Sequence, residues 1–375
     1  MTLAIQPFDA ARAEAVRAFN LRLAAGGSSW RFPESPVPTW LARVDGSPTF
    51  QEFFLALDGE QVRGGYALQR RRARIGDDEL PLGAWYLPVS EGAVDPRQAL
   101  VATLLLRDAL RREPLSYGLG MDGLDSPLSR LAGALRCERR LVPFFVRIER
   151  GGRFARGAPY ARRNAWVAAG LDVAAVTGAA DLGARIVQLA AWRGRGLGNA
   201  LVDVVPEFGP WADDLWQRCR GHYSFVEVRD AATLARVYPV ERKRFERLRV
   251  RRGNQDLGWA VLQLTEMKDN PNFGCLHVGR ITDVLAAPAD AGVVVRAAAE
   301  RLAERGADVI VSNQLHPAWC AALRRSGFLR GRSNYVFAPT APLAERIAAL
   351  DPGYERVHVN RGDGDGPWGH DPRGF

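Results

Sequence analysis

Period-two alternation of apolar and polar positions marks two hairpins along the chain. FFLALDGEQVRGGYALQ, residues 53–69, turns on a glycine, and RLRVRRGNQDLGWAVLQL, residues 247–264, turns at Gly253-Asn254. Each return strand carries a glycine before an aromatic, Gly65-Tyr66 and Gly258-Trp259. Each hairpin follows an aromatic-basic-proline stretch, Trp30-Arg31-Phe32-Pro33 or Arg236-Val237-Tyr238-Pro239, which packing of the hairpin against the preceding helix accounts for. A strand-like run comes next in both places, LGAWYLPV at 82–89 and GRITDVLA at 279–286.

Helical periodicity then takes over. Asp95-Pro96 opens a helix over 97–112, with proline at the first helical position, and the run stops near Pro114. Asp290 opens a second helix whose Ala291, Val294, Val295, Ala298 and Leu302 share one face, with Gly306 as its stop. SYGLGM and DVIVSN read as strands, and Ser126-Pro127 and His316-Pro317 open further helices. LVPFFVRI at 141–148 and SNYVFAPT at 333–340 read as the strands that close each copy.

One order of elements is therefore written twice: helix, antiparallel hairpin, strand, helix, strand, helix, strand. It predicts an α/β (α+β) protein with two mixed twisted sheets and flanking helices. The first copy spans 1–150, a connecting segment 151–212, the second copy 213–340 and a C-terminal extension 341–375. A chain of 375 residues is long enough for two cores.

Composition narrows the function classes. With 47% hydrophobic and 25% charged residues the chain is neither disordered nor fibrous. The net charge of +9 is almost all arginine, since Lys243 and Lys268 are the only lysines. The clusters at Arg70–Arg72 and within 242–252 read as solvated faces, while affinity for anionic substrates or coenzymes stays open. Cys137, Cys219, Cys275 and Cys320 are isolated, so free thiols are expected and neither a zinc site nor a disulfide framework is. The N-terminus lacks the layout of a signal peptide, and no run of about twenty apolar residues could span a bilayer. A cytoplasmic protein without membrane insertion, metal or DNA partner is expected.

The order of elements, together with DDLWQRCRGHYSFVEVRDAATLARVYPVERKRF at 213–245, resembles tandem GNAT-fold acyltransferases of the type associated with bacterial polysaccharide biosynthesis. These proteins belong to the acyl-CoA N-acyltransferase superfamily and are relatives of Fem-like aminoacyl transferases. Asp214, Leu215, Trp216, Arg229, Asp230, Tyr238 and Pro239 match the pattern of that type; Ala235 or its neighbour stands for an expected Trp, and Phe245 for a Tyr. The resemblance implies acyl-CoA (acetyl-CoA) as co-substrate, its acyl arm held on the backbone edge opened where the fourth strand splays from the fifth. Those edges are Val89 and Ser90 in the first copy, and Val284, Leu285 and Ala286 in the second.

The resemblance also implies a glycine-rich turn for the diphosphate. The turns here, VSEGAVDPRQA and LAAPADAGVV, lack its spacing and put Asp95 and Asp290 at helix N-caps, where a carboxylate takes the free amides and repels a diphosphate. At an effective dielectric of about 20, like charges about 4 Å apart repel by roughly 4 kcal/mol. Arg193, Gly196 and Gly198 have the glycine spacing, but they lie between the copies, after a helical run and before Pro206 and Pro210. They are expected to form a connecting segment whose glycines make turns.

Candidate chemistry follows from residue type and place. A carboxylate in an apolar strand is costly unless paired or used, so Asp283 is either a general base or a satisfied structural acid. Glu91 is its counterpart in the first copy, and Asp122 is a third acid at a strand end. His316 could accept a proton near neutral pH or simply begin its helix. Tyr335 could protonate a leaving thiolate, whereas Leu323 occupies the place, four residues before Gly327-Phe328, where many GNAT enzymes carry such a tyrosine. Asp363, Asp365, His370 and Asp371 offer oxygen and nitrogen ligands without calcium-loop spacing and read as a turn-rich flexible end.

Three functions follow. The first is acyl transfer from acyl-CoA to an amine or hydroxyl of a small or saccharide acceptor. The second is Fem-like transfer from aminoacyl-tRNA. The third is a non-catalytic GNAT-derived scaffold of polysaccharide biosynthesis.

Overall fold

The computed structural model describes residues 3–157, 159 and 197–367. In the first half, β1 (Ala4–Pro7), α1 (Ala13–Ala25), β2 (Phe50–Asp58), β3 (Gln61–Ile75) and β4 (Asp78–Ser90) precede α2 (Leu100–Arg112), β5 (Ser116–Gly120), α3 (Pro127–Ala134), β6 (Arg140–Leu141), β7 (Phe144–Ile148) and α4 (Gly151–Gly157). The second half begins with β8 (Ala200–Val205), α5 (Pro210–Cys219), β9 (Phe225–Glu227), α6 (Ala231–Val237), β10 (Phe245–Arg252) and β11 (Gln255–Glu266). It continues through β12 (His277–Ala286), α7 (Ala291–Glu304), β13 (Val309–Asn313), α8 (Pro317–Arg325), β14 (Leu329–Gly331), β15 (Val336–Pro339) and α9 (Ala341–Leu350).

Two mixed sheets result. The first has the order β1-β2-β3-β4-β5-β15-β6, with β9 added to β3, and the second runs β8-β10-β11-β12-β13-β7-β14. The two orders correspond place by place, and in each the strand beyond β5 or β13 comes from the other half of the chain. β7 pairs antiparallel with β13, and β15 pairs antiparallel with β5. The expectation that 141–148 closes the first copy and 333–340 the second is corrected accordingly: of 141–148 only Leu141, in β6, stays with the first sheet. Pro143, which has no N–H to give a ladder, separates β6 from β7 at the crossing.

The parallel pairs are short. β4 and β5 are in register only over Gly83–Trp85 with Ser116–Gly118, and β12 and β13 only over Val278–Arg280 with Val309–Val311. Register shifts fall between Gly65 and Ala67 in the β3–β4 ladder and between Val261 and Leu262 in the β11–β12 ladder. Such irregularities bend a strand out of its ladder, and past them β4 and β12 part from their parallel neighbours. Gly118 is needed at the last rung of the first pair, because a Cβ there would meet the Trp85 ring at 2.2 Å.

The main core lies between the sheets and draws on both halves, with Phe19, Tyr86, Trp216, Trp259 and Phe337 all buried. Residues 200–205 form the edge strand β8, paired with β10; Arg193 and Gly196 lie outside the described residues. Two further readings are corrected. Arg71 is 5% exposed rather than on a solvated face, because its strand turns it toward the core between Arg70 and Arg72. The chain beyond Leu350 is not a flexible end as far as it is described, since His358, Asn360 and Asp363 are buried. His370 and Asp371 lie outside the described residues.

Candidate functional site between the two sheets

A cluster of charged side chains is enclosed where the halves meet. Arg229, just after β9, donates from Nε to Asp283 Oδ1 at 3.1 Å and from Nη2 to Asp363 Oδ1 at 2.5 Å. Asp283, at the bulged part of β12, also accepts at Oδ1 from Asn360 Nδ2 at 2.9 Å and from the Val284 amide at 2.9 Å. The Tyr238 hydroxyl donates to its Oδ2 at 3.0 Å. Beside this group, Glu227 on β9 accepts from Arg71 and from the Tyr117 hydroxyl. Tyr86 donates to the Asp363 carbonyl at 2.7 Å, and the Tyr117 hydroxyl lies 2.6 Å from the same oxygen, its one proton shared between that carbonyl and Glu227. Asp363 is set by a capping box in which Asn360 accepts from Gly362 N and Asp363 Oδ2 accepts from Asn360 N.

Three carboxylates, Glu227, Asp283 and Asp363, thus face two guanidiniums, Arg71 and Arg229. The cluster carries one surplus negative charge, which burial penalises. The Asp363 carboxyl answers this: burial pushes it up to about 7, Glu227 and Asp283 push the same way, and Arg229 opposes them. Burial lowers the Arg229 pKa, but the neighbouring carboxylates outweigh it and hold the guanidinium charged. A cavity of about 10 Å³ adjoins the cluster, lined among others by Arg71, Glu227, Arg229, Asp283 and Asp363. It is at the lower limit for one water.

The other predicted residues are dispersed. Glu91, at the end of β4, accepts from Arg22 at 2.6 Å and from Arg63 at 3.0 Å. Burial raises its pKa, but the two guanidiniums win and hold it below the usual value. His316 caps α8, its Nδ1 accepting from Ala318 N at 3.1 Å, and burial lowers its pKa to about 4. Tyr335 precedes β15 and so joins the first sheet; its hydroxyl donates to Asp365 at 2.7 Å, and burial pushes its pKa well up. Asp122 is exposed and accepts from Asn334 Nδ2.

The expected strand edges are covered. Val284, Leu285 and Ala286 have no exposed surface, and the Ala286 carbonyl accepts from the Tyr223 hydroxyl at 2.6 Å. Val89 and Ser90 are 5% and 7% exposed, and Ser90 Oγ accepts from Gly92 N. At the first turn Asp95 takes the Arg97 amide as expected, while Gln98 N and Ala99 N bond within the turn. At the second, Asp290 makes no side-chain cap bond: its backbone is already helical, which turns the carboxylate away from the amides.

The sequence singles out Asp283, but not its partner Asn360 nor the adjoining Arg71–Glu227 pair. Arg229 and Tyr238 were visible only as matches to a pattern, and Asp363 only as a tail acid. A signal was present, since buried positions of β3 and β9 carry charges of opposite sign.

No family model matches the sequence, and no curated protein matches it. Among solved structures, N-myristoyltransferase of Saccharomyces cerevisiae with bound myristoyl-CoA is similar over 91% of this chain and 79% of that one, at 9% identity and a TM-score of 0.52. The same enzyme with myristoyl-CoA and inhibitors is similar over 90% and 79%, at 7% identity and 0.52. A GCN5-related N-acetyltransferase of Anabaena variabilis covers 90% of this chain and 72% of its own, at 9% identity and 0.48. At such identities the likeness to the two structures with a TM-score of 0.52 shows the fold, two tandem GNAT-like units of mixed sheet and flanking helices. Among the described residues no helix is long and apolar enough to cross a membrane.

Proposed function

We propose that the protein transfers an acyl group from acyl-CoA to an amine or hydroxyl of a small, saccharide-like acceptor. One observation carries the reading: parallel strands that splay apart border a buried cluster with surplus negative charge and a carboxyl titrating near neutrality. Fold alone does not establish function, and many activities share this one. In the proposed reaction the acceptor's lone pair attacks the thioester carbonyl, the C–S bond breaks and the thiolate leaves. Backbone amides of the splayed edge would steady the oxyanion.

The acceptor's proton passes, through a water in the inter-sheet cavity, to Asp363. That group suits a base because its pKa lies near working pH. Asp283 has four donors and must shed one to take a proton, so it holds Arg229, Tyr238 and Asn360 in place. Glu91, tied to two arginines, serves the first copy in the same way.

Release of free thiol tests the proposal, measured with acetyl-CoA and longer acyl-CoAs against a panel of amines and amino sugars. Turnover above the uncatalysed background with any pair supports it. No turnover, and no thermal shift with any acyl-CoA, rejects it; a ligand at about 100 times its dissociation constant adds roughly 2.7 kcal/mol.

The non-catalytic reading, a scaffold in polysaccharide assembly, is favoured by a separate observation: the inter-sheet cavity holds no more than a water. The Fem-like reading requires tRNA to protect the protein from unfolding, with binding that falls steeply as salt rises.

A further inference from the structure

Residues 309–344 contain no aspartate or glutamate but four arginines, Arg324, Arg325, Arg330 and Arg332. All four are exposed, and among the described residues none of them forms an ion pair. Arg324 and Arg325 end α8, where the helix dipole favours a cation. Arg330 and Arg332 lie beyond it, on and just after the edge strand β14, and the dipole gives them no such reason to be there. The group is close-set, since the charges of Arg324 and Arg330 both act on the Cys320 thiol.

Topology gathers more onto the same face. β14 ends the second sheet and β6 ends the first. The two ends meet where the chain crosses between sheets: Val142 N donates to the Tyr335 carbonyl at 2.8 Å, and Ser333 Oγ donates to the Val142 carbonyl. On either side of this crossing Leu329 of β14 and Leu141 of β6 are each 42% exposed. Arg139, exposed and two residues before Leu141, donates to the Leu124 carbonyl at 3.1 Å rather than to an acid. The neighbouring acids are engaged, Glu138 with Arg140 and Asp122 with Asn334.

Uncompensated guanidiniums around two exposed leucines fit an anionic partner. Single-stranded nucleic acid is held by rings on which its bases stack, and the aromatic residues of 309–344, Trp319, Phe328, Tyr335 and Phe337, are all buried. A peptide added as a strand would find only the three residues of β14 to pair with. A bilayer surface asks for what this face has: cations at the level of its phosphates, and apolar side chains that dip among the headgroups.

We infer that the face around β14 docks on an anionic lipid surface, with Arg324, Arg325, Arg330 and Arg332 on the lipid phosphates and Leu141 and Leu329 at headgroup depth. The arginine fork suits this role because it meets a phosphate with two N–H groups at once. The inference stands apart from the acyl-transfer reading and needs no part of the inter-sheet cluster.

Flotation of the full chain with vesicles tests it, comparing phosphatidylcholine alone with phosphatidylcholine that contains phosphatidylglycerol. Binding to the anionic vesicles only, falling steeply as salt rises from about 0.1 to 1 M, is expected. Each arginine near such a surface is worth roughly fivefold, so replacing all four by glutamine should weaken binding by at least about a hundredfold. Arg330→Gln with Arg332→Gln leaves α8 untouched and should still cost about tenfold or more, at an unchanged thermal midpoint. Leu141→Ser with Leu329→Ser should weaken binding severalfold without altering its salt dependence. Equal binding to neutral vesicles, or wild-type binding by the fourfold variant, would overturn the inference. So would absence of vesicle binding alongside salt-sensitive binding of duplex DNA, RNA or an acidic peptide through the same four arginines.

Discussion

Asn360 donates to Asp283 across 2.9 Å, joining the C-terminal segment to the bulged strand β12, 77 residues earlier in the chain. The segment supplies one of the four donors to Asp283, beside Arg229, Tyr238 and the Val284 amide. Its seating therefore contributes to the stability of the second half.

Replacing Asp283 by alanine should lower stability by about 3–5 kcal/mol, because it leaves Arg229 and the Tyr238 hydroxyl without that partner inside the core. Urea denaturation checks this through the transition midpoint. A loss below about 1 kcal/mol would show that the cluster relaxes or admits water.

Asp363 gives a pH dependence of defined sign. Unfolded, its carboxyl ionises near 4; folded, it holds its proton until about 7. Between these values the native state binds more protons, so its contribution is fully present below pH 4 and is lost as pH rises through 7. The loss is on the order of 1 kcal/mol per pH unit. Asp363→Asn should flatten this component, so the stability difference between variant and wild type should grow in the variant's favour from pH 5 to 8. Denaturation midpoints across that range, equal at all pH values for the two proteins, would refute it.

His316 and His358 act in the opposite direction. Burial lowers the pKa of His316 to about 4, and it lowers that of His358 well below the usual value, helped by Arg229. Their unfolded forms bind protons below about 6.5, so stability should fall as pH drops from 6.5 toward 4. Among the described residues neither ring nitrogen of His358 makes a well-formed hydrogen bond, and its ring meets Tyr223 edge-on at 4.7 Å. His358→Phe should keep that contact, lessen the acid sensitivity and hold stability at pH 5 at or above wild type. Thermal midpoints at pH 5 and 7.5 decide it.

Gly118→Ala should displace the Trp85 ring and loosen the last rung between β4 and β5, at a cost of about 1–3 kcal/mol. Near-ultraviolet circular dichroism would register the tryptophan's changed packing. If acyl-CoA lies along β4, the same change should weaken its binding severalfold, as calorimetry would show.

The repeated order of elements could be read from periodicity because each half solves the same local problem, an amphipathic hairpin that needs helices to cover it. Helix starts at Pro127 and Pro317, and the end of α7 at Gly306, follow from local chemistry and appear as expected. The sequence stops informing at Pro143, which shows that a strand ends without showing which sheet the next one joins. It also stops at Arg71, whose position in a run of three arginines looks like a surface. The Glu227 that neutralises it lies 156 residues away.

The chain alone determined the elements, their duplication and the placing of an acid within an apolar strand, since these depend on neighbours three or four residues apart. Tertiary structure decided the exchange of β7 and β15, the burial of residues 357–363 and the proton held by Asp363. Each of these depends on which distant groups share a low-dielectric space, and that sharing exists only once both sheets have closed on each other.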